Sequence, residues 1–374
     1  MSRRSVDTTG IRSAAAPAAS SAPHFDICVF IGRFRPFHNG HYAVVQEALR
    51  KSRFVAIVVG SCGAPRNLRN PFIFEEVQGM IRSCLSKDEQ DRVAILELED
   101  APYNDEIWVE RVQRQVNRVA ALAGQNGETA PAKIALIGHK KDSSSFYLSL
   151  FPQWEFIATE NFLDLAATKI RDAFFAGAAA EYEAIVPPAV AAFLKDFTMK
   201  PGYEALVREA DFIRKYRAQF ADLPYPPIFT TVDAVVIQSG HLLLVRRKDY
   251  PGRGLWALPG GFLDAGEKLD DAWLRELKEE TKIDVPEPVL RGSLVTSQVF
   301  DDPFRSSRGR TITHAYLVHL KPGELPRVKA SSDAKAVRWI PLAEVRSSEL
   351  FEDHFHIVQT LKGKLPRKHP ETGA

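Results

Sequence analysis

Residues 25–41 read FDICVFIGRFRPFHNGH, and this stretch decides the fold of the first half of the chain. It opens on an apolar run of strand length, passes through a glycine and a proline-stiffened turn, and gives way to helical spacing from Tyr42 onward. The alternation repeats: the apolar run 54–59 precedes a helical pattern at 75–85, and 93–98 precedes 107–122. Runs at 134–137 and 156–158 follow in the same style. Continuous apolar strands separated by amphipathic helices have both sheet faces covered, which predicts a doubly wound parallel sheet over residues 24–198. In open sheets of this kind ligands bind outside the carboxyl ends of the strands, so the loop at 32–41 is the place to expect a site.

Further along, residues 203–220 (YEALVREADFIRKYRAQF) put Leu206, Ala210, Ile213 and Tyr216 or Arg217 at helical spacing before LPYPP interrupts the pattern. This predicts a connector over 199–225. The texture then becomes β-rich, with runs at 229–237, 242–245, 290–299 and 311–320, a Ser239-Gly240 turn, and one strongly charged helix at 269–282. A mixed sheet with an acidic helix is expected over 226–366. Residues 1–23, rich in Ala, Ser and Arg, and residues 367–374 read as tails, the first of them disordered.

Composition agrees with two soluble domains. A length of 374 residues exceeds the ~100–200 of one typical domain, and 45% hydrophobic with 26% charged residues is globular rather than disordered. Lys+Arg 49 against Asp+Glu 47 leaves a net charge of +2, too balanced for a broad nucleic-acid-binding face. Cys28, Cys62 and Cys84 include no CxxC pair, which indicates reduced thiols. No run approaches the ~18–20 apolar residues that span a bilayer. The expectation is a cytoplasmic protein with neither nucleic-acid nor membrane partners; a homo-oligomer stays open.

Within the loop at 32–41, Gly32 would let a phosphate approach the backbone, while His38 and His41, three residues apart, can face one spot as a helix begins. The helix N-terminus adds N–H donors and a positive dipole, a combination suited to a triphosphate. Taken alone, two such histidines would sooner cap or pack. Their context changes the reading, because GRFxPF followed by HxGH resembles the HxGH nucleotidyltransferases. Further segments narrow the resemblance: Arg69-Asn70-Pro71-Phe72; Tyr103-Asn104-Asp105 with Trp108; the run at 138–145 (GHKKDSSS) leading to Phe151-Pro152-Gln153-Trp154; and Ala167-Thr168-Lys169-Ile170-Arg171.

Together these segments resemble the bacterial nicotinamide mononucleotide (NMN) adenylyltransferases that are fused to a second enzyme, over residues 25–195. The resemblance implies a Rossmann-like nucleotidyltransferase domain that makes NAD⁺ and pyrophosphate from ATP and NMN. It also implies that His38 and His41 hold the ATP phosphates, Thr168 and Arg171 grip the β and γ phosphates, and Gly32, Arg33, Phe34 and Asn70 complete the binding loop. Tyr103, Asn104, Asp105 and Trp108 would contact the nicotinamide nucleotide, with Trp108 stacked on the pyridine ring, and Gly138, His139, Lys141 and Asp142 would lie against adenosine. Ala166-Ala167 stand where the family often carries two serines, which removes two hydroxyl contacts. A related transferase acting on a pantetheine or glycerol phosphate is the competing reading, and the Tyr103 to Trp108 segment speaks against it.

The second site begins at Gly261 with GFLDAGEKLDDAWLRELKEETKI. On a helix Glu276, Glu279 and Glu280 share one face, while Leu269, Trp273 and Leu277 form a stripe on another. Crowded carboxylates repel one another unless cations neutralise them, and hard oxygen ligands select Mg²⁺ or Mn²⁺. The plainer alternative is a solvated acidic helix laced by ion pairs such as Arg275–Glu279. Yet the spacing from Gly260-Gly261 to Glu267 and on to Arg275-Glu276-Leu277-Lys278-Glu279-Glu280 resembles the Nudix box, and thus an α/β/α Nudix domain. The resemblance implies that Glu267, Glu276, Glu279 and Glu280 bind the metal and that Arg275 orients them.

Residues 300–317 (FDDPFRSSRGRTITHAYL) resemble the matching loop and strand of ADP-ribose pyrophosphatases, which implies ADP-ribose as substrate, AMP and ribose 5-phosphate as products, and Arg305 and Arg310 as substrate contacts. The competing reading is a ligand sensor that has lost hydrolysis; the four acidic positions, all present, favour the enzyme. Lys282 replaces the glycine usual after Glu-Glu-Thr, and an altered helix end is expected there.

Overall fold

The computed structural model describes residues 24–123, 132–139, 148–160, 165–331 and 334–365. The chain forms two compact units that meet in sequence between Val207 and Arg208.

The first unit is built on five parallel strands: β1 (Phe25–Gly32), β2 (Ser52–Val59), β3 (Val93–Glu97), β4 (Ile134–Gly138) and β5 (Glu155–Ala158), in the order β3-β2-β1-β4-β5. Helices α1 (Asn39–Lys51), α2 (Phe74–Ser83), the single turn α3 (Lys87–Gln90), α4 (Asp105–Ala123), α5 (Ala167–Phe175) and α6 (Pro188–Phe197) complete it, and α7 (Pro201–Ala218) carries the chain onward. Ile27 and Val29 of β1 and Ala56 and Val58 of β2 pack against Val112, Val116 and Val119 of α4. Cys28, Phe30, Val55 and Ile57, at the alternate positions, are buried as well. Burial of both faces is why these strands read as unbroken apolar runs. The winding reverses between β1 and β4, so Gly32 and Gly138 end the two strands that flank the crevice.

The second unit is a mixed sheet of β6 (Ile228–Gln238), β7 (His241–Arg247), β8 (Trp256–Ala257), β9 (Gly260–Phe262), β10 (Leu294–Phe300), β11 (Arg310–His319) and β12 (Ala334–Pro341). The order is β10-β11-β6-β7-β12, with β8 paired to β7 and β9 to β6; β11 and β6 run parallel and the other neighbours antiparallel. Ser239 and Gly240 both have positive φ, 45° and 77°, as the tight turn joining β6 to β7 requires. Helices α8 (Leu269–Thr281), α9 (Glu287–Gly292) and α10 (His354–Lys362) accompany the sheet. Ala272, Trp273, Leu274 and Leu277 of α8 are buried against Val232, Ala234 and Val236 of β6, which leaves the glutamates on the other face.

The expected strand at 290–299 is corrected at its start. Pro286 and Pro288 favour a helical turn, so residues 290–292 close α9 and the strand begins at Leu294. Among the described residues no helix is long and apolar enough to cross a membrane.

Candidate active sites

In the first unit the two histidines reciprocate across the start of α1. The His41 N–H donates to His38 Nδ1 (3.4 Å) and the His38 N–H to His41 Nδ1 (3.3 Å), and the rings stack with centroids 3.5 Å apart. Capping therefore also selects the tautomer: with both Nδ1 atoms accepting, each neutral imidazole carries its hydrogen on Nε2, away from the backbone. Phe34, at φ 54°, is buried edge-on to His41 at 5.0 Å. A Cβ on Gly32 would lie 2.8 Å from that phenyl ring. The Phe34 ring thus leaves no room for a side chain at Gly32, and it packs against the histidine from inside.

Around this loop four guanidinium groups crowd together, those of Arg33, Arg35, Arg69 and Arg171. Arg35, almost fully buried, straps the loop to the backbone of Phe72 (Nε to O, 2.8 Å) and Gly60 (Nη1 to O, 2.6 Å). Arg171 reaches from α5 to the Arg35 carbonyl (2.9 Å) and to Thr168 Oγ1 (3.2 Å). Arg33 has its pKa pushed down to about 9 by burial and by the nearby charges of Arg69 and Arg171, with Asp100 acting in the opposite direction. Arg171 is likewise lowered, to about 10, by burial and by Arg69 and Arg35, with Asp172 opposing. Arg33 Nη1 and Asn70 Oδ1 are both buried without a hydrogen-bond partner. Ala166 caps α5 without a side-chain bond, so the start of that helix adds unsatisfied N–H groups. Such a place attracts a polyanion.

The remaining residues expected here divide. Asn104 uses its Oδ1 to cap α4 at the Ile107 N–H (3.0 Å), and Asp105 opens that helix. Trp108 is half-buried beside the core, 5.9 Å from Phe151, so part of its ring serves packing. Tyr103 is half-buried in the loop before α4. His139, after β4, places Nδ1 3.0 Å from the Thr159 carbonyl. Lys141 and Asp142 lie outside the described residues. Arg35 and Arg69 stand in quoted motifs but were not singled out; their role follows from burial and charge crowding, which a motif does not display.

In the second unit Arg275 gathers the acidic face. It bonds Glu267 twice (2.8 and 2.9 Å), Glu276 (2.8 Å) and Glu279 (3.2 Å). Glu280 accepts from the Gly260 N–H (3.1 Å). The two glycines are demanded by contact: a Cβ on Gly261 would fall 2.6 Å from Glu276 Oε1, and one on Gly260 only 2.1 Å from the Val232 carbonyl. Arg275 holds the Glu267 carboxyl below its usual range. Burial raises Glu276 and, with the Glu276 charge, pushes Glu280 up to about 8 against the Gly260 N–H. Among the described residues no three acidic, imidazole or thiol groups stand close enough to form a ready cation cage. The donor set nevertheless fits a hard divalent cation, since carboxylates with raised pKa values on one face gain most from added positive charge. Lys282 ends α8 in the left-handed conformation (φ 45°, ψ 36°), so the expected alteration of the helix end does not occur.

Beside Glu280 and β9 opens a cavity of about 200 Å³ whose walls carry Arg247 and Arg308. Arg305 and Arg310, the expected substrate contacts, are each held in an ion pair. Arg305 is buried in a two-pronged pair with Asp353 (2.9 and 2.9 Å) and lies 4.0 Å from Asp233, whereas Arg310 is tied to Asp301. Arg308, between them in sequence, stands over the Phe262 ring at 5.0 Å, and Arg305 and Arg308 both line the cavity. Behind the wall, the Leu258 N–H donates to His354 Nδ1 (2.9 Å), and the Thr313 hydroxyl donates to Asp233 Oδ2 (2.6 Å). Neither Asp233 nor His354 belongs to a recognisable motif.

Two family models match the chain: a cytidylyltransferase-like domain over residues 29–173 and a NUDIX domain over residues 227–361. A nicotinamide/nicotinic acid mononucleotide adenylyltransferase of Acinetobacter baylyi is 39% identical over 196 residues, 52% of this chain and 95% of the relative. An ADP-ribose pyrophosphatase of Methanocaldococcus jannaschii is 32% identical over 154 residues, 41% of this chain and 80% of the relative. The crystal structure of a bifunctional NMN adenylyltransferase/ADP ribose pyrophosphatase from Francisella tularensis is similar to this chain with 36% identity and a TM-score of 0.81, covering 91% of this chain and 99% of that one. The structure from the same organism complexed with AMP and a Mn ion matches with 35% identity, the same TM-score and the same coverage.

Proposed function

Because the chain belongs to the family of bifunctional NMN adenylyltransferase/ADP-ribose pyrophosphatases, we propose that its two sites divide two reactions of nicotinamide nucleotides between them. The first unit transfers the adenylyl group of ATP to NMN, giving NAD⁺ and pyrophosphate. The second hydrolyses ADP-ribose to AMP and ribose 5-phosphate. What supports the reading is clustered charge of opposite sign at the two places: guanidiniums crowded around the loop after β1, and carboxylates gathered about Arg275 on α8.

In the first reaction the NMN phosphate oxygen attacks the α-phosphorus of ATP in line, a new P–O bond forms, and the bond to pyrophosphate breaks. A phosphate nucleophile is already anionic at neutral pH, so positioning and charge stabilisation carry the catalysis. His38 and His41 donate through Nε2 to phosphate oxygens, while Arg33, Arg171 and the start of α5 receive the charge that builds on the leaving pyrophosphate. In the second reaction water adds to a phosphorus of the diphosphate and the bridging bond breaks. Glu267, Glu276, Glu279 and Glu280 would hold Mg²⁺ or Mn²⁺, which when bound neutralises charge at the diphosphate. Arg275 keeps these carboxylates on one side, and Arg247 and Arg308 face the substrate's diphosphate from the cavity walls.

His41→Ala and Glu280→Gln, each made in the full chain and assayed with ATP plus NMN and with ADP-ribose plus Mg²⁺, test the division. His41→Ala should lower NAD⁺ formation by about 10²-fold or more while AMP release continues, and Glu280→Gln should do the reverse. Loss of both activities from one substitution would overturn the reading of two separate sites.

A further inference from the structure

The cavity beside Glu280 has two cationic walls, and one helix outside the matched NUDIX segment holds them both. In the first wall, Arg247 donates from Nε to the Pro251 carbonyl (2.8 Å) and stands 4.0 Å over the Phe351 ring. The adjoining loop presses so closely on that ring that a Cβ on Gly252 would lie 2.2 Å from it. Gly252 is fixed from α7, since its N–H donates to Glu209 Oε2 (3.0 Å), and Phe212 of α7 lies 6.3 Å from Tyr250.

In the second wall Arg308 stands over Phe262, and Phe262 meets Phe229 edge-on at 5.8 Å. Phe229 is packed in turn by Tyr216 of α7 (5.9 Å) and by Phe220 just beyond it (5.3 Å). Arg217 donates through Nε and Nη2 to the carbonyl of Ser307 (3.1 and 2.6 Å), the residue next to Arg308. The Ser307 N–H is held at the same time by Glu352 Oε1 (3.2 Å). Positions 209, 212 and 216 return to one side of a helix every three or four residues, so one face of α7, continued by Phe220 beyond its end, serves both walls.

We infer that the 208–220 segment is a positioning element of the hydrolytic site: it sets the separation between the Arg247 and Arg308 guanidiniums that receive the diphosphate. Two cations about one diphosphate act together only when their spacing matches that group; Arg247, at the end of β7, bonds the loop carbonyl of Pro251, and Arg308 lies in the loop before β11. The carboxylates of α8 are held directly by Arg275 and by the Gly260 N–H. The brace thus governs substrate affinity rather than turnover. This inference rests on the reading of the cavity as the ADP-ribose site.

The test uses the full chain as wild type, as Arg217→Ala, as Arg217→Lys and as the double variant Glu209→Ala with Arg217→Ala, followed by steady-state ADP-ribose hydrolysis. The double variant should show KM raised about tenfold with kcat within about twofold of wild type. Arg217→Lys, which keeps a donor for the Ser307 carbonyl, should recover most of the effect of Arg217→Ala, and NAD⁺ formation should stay unchanged throughout. An unchanged KM in the double variant overturns the inference, as does a fall in kcat at constant KM, the mark of partial unfolding. Should the wild-type chain release no AMP at all, the substrate reading fails first, before any variant is compared.

Discussion

Lys282 sits at φ 45° and ψ 36° at the end of α8, and its N–H still donates to the Lys278 carbonyl. An L side chain in this region crowds its own backbone, a cost of roughly 1–2 kcal/mol that glycine escapes. Lys282 is exposed, so its side chain gains little packing in return. Lys282→Gly should therefore stabilise the second unit by about 0.5–1 kcal/mol, part of the relief being offset by the greater freedom of glycine in the unfolded chain. A rise in the denaturant midpoint with hydrolysis unaltered is the expected result, and a fall would show that the strain is balanced elsewhere. The histidine pair shows the same logic on the other unit. His38 and His41 cap each other's backbone, so one arrangement both starts α1 and fixes which ring nitrogen carries hydrogen.

At the scale of elements, α10 matters because its first residue props the strand that presents Gly260. His354 accepts the Leu258 N–H through Nδ1, with Asp233 Oδ1 3.8 Å from Nε2. Burial, with Arg305, Arg247 and Arg308 adding to it and Asp353 opposing, lowers the imidazole pKa from 6.5 to about 3. A histidine that folding keeps neutral favours the unfolded state once that state can bind the proton. Its contribution is full above pH 6.5 and is lost as pH falls through 6.5 toward 3, at up to about 1.4 kcal/mol per pH unit. Asp233 and Glu352, raised by burial, act in the opposite sense, so the informative comparison is with a variant rather than with zero. His354→Gln keeps an acceptor for Leu258 and does not titrate. Between about pH 7 and pH 5 the wild-type thermal midpoint of the second unit should fall more steeply than that of His354→Gln; parallel curves would refute the assignment.

For the whole molecule, the legible features were those encoded by period and spacing. Apolar runs at 25–31 and 54–59 announced a doubly covered parallel sheet, and the spacing from Glu267 to Glu280 announced a carboxylate face opposite Leu277. What could not be read depends on partners far along the chain. Arg305, Arg308 and Arg310 look alike in FDDPFRSSRGR, and Asp353, 48 residues away, decides that Arg305 is locked in an ion pair in the cavity wall while Arg308 stands over Phe262. Phe34 over Gly32 and the brace from α7 were hidden for the same reason, since no local pattern specifies what fills a space above a glycine or which loops a helix face will hold.

The same distinction separates net charge from site charge. A balance of +2 across the chain conceals a first unit with an excess of buried guanidiniums and a second with an excess of carboxylates at their respective sites. Clustered like charges repel one another, and any ion binding only the native state stabilises by about 2.7 kcal/mol at a hundred times its dissociation constant. Calorimetry of the full chain should therefore respond selectively. Inorganic tripolyphosphate should raise the transition of the first unit alone, and this shift should shrink in Arg33→Met. Mg²⁺, added separately, should raise only the transition of the second unit, and that shift should shrink in Glu276→Gln. If either ion moved both transitions equally in wild type and variants alike, the clustered charges would have no specific counterion, and the electrostatic account of both sites would fail.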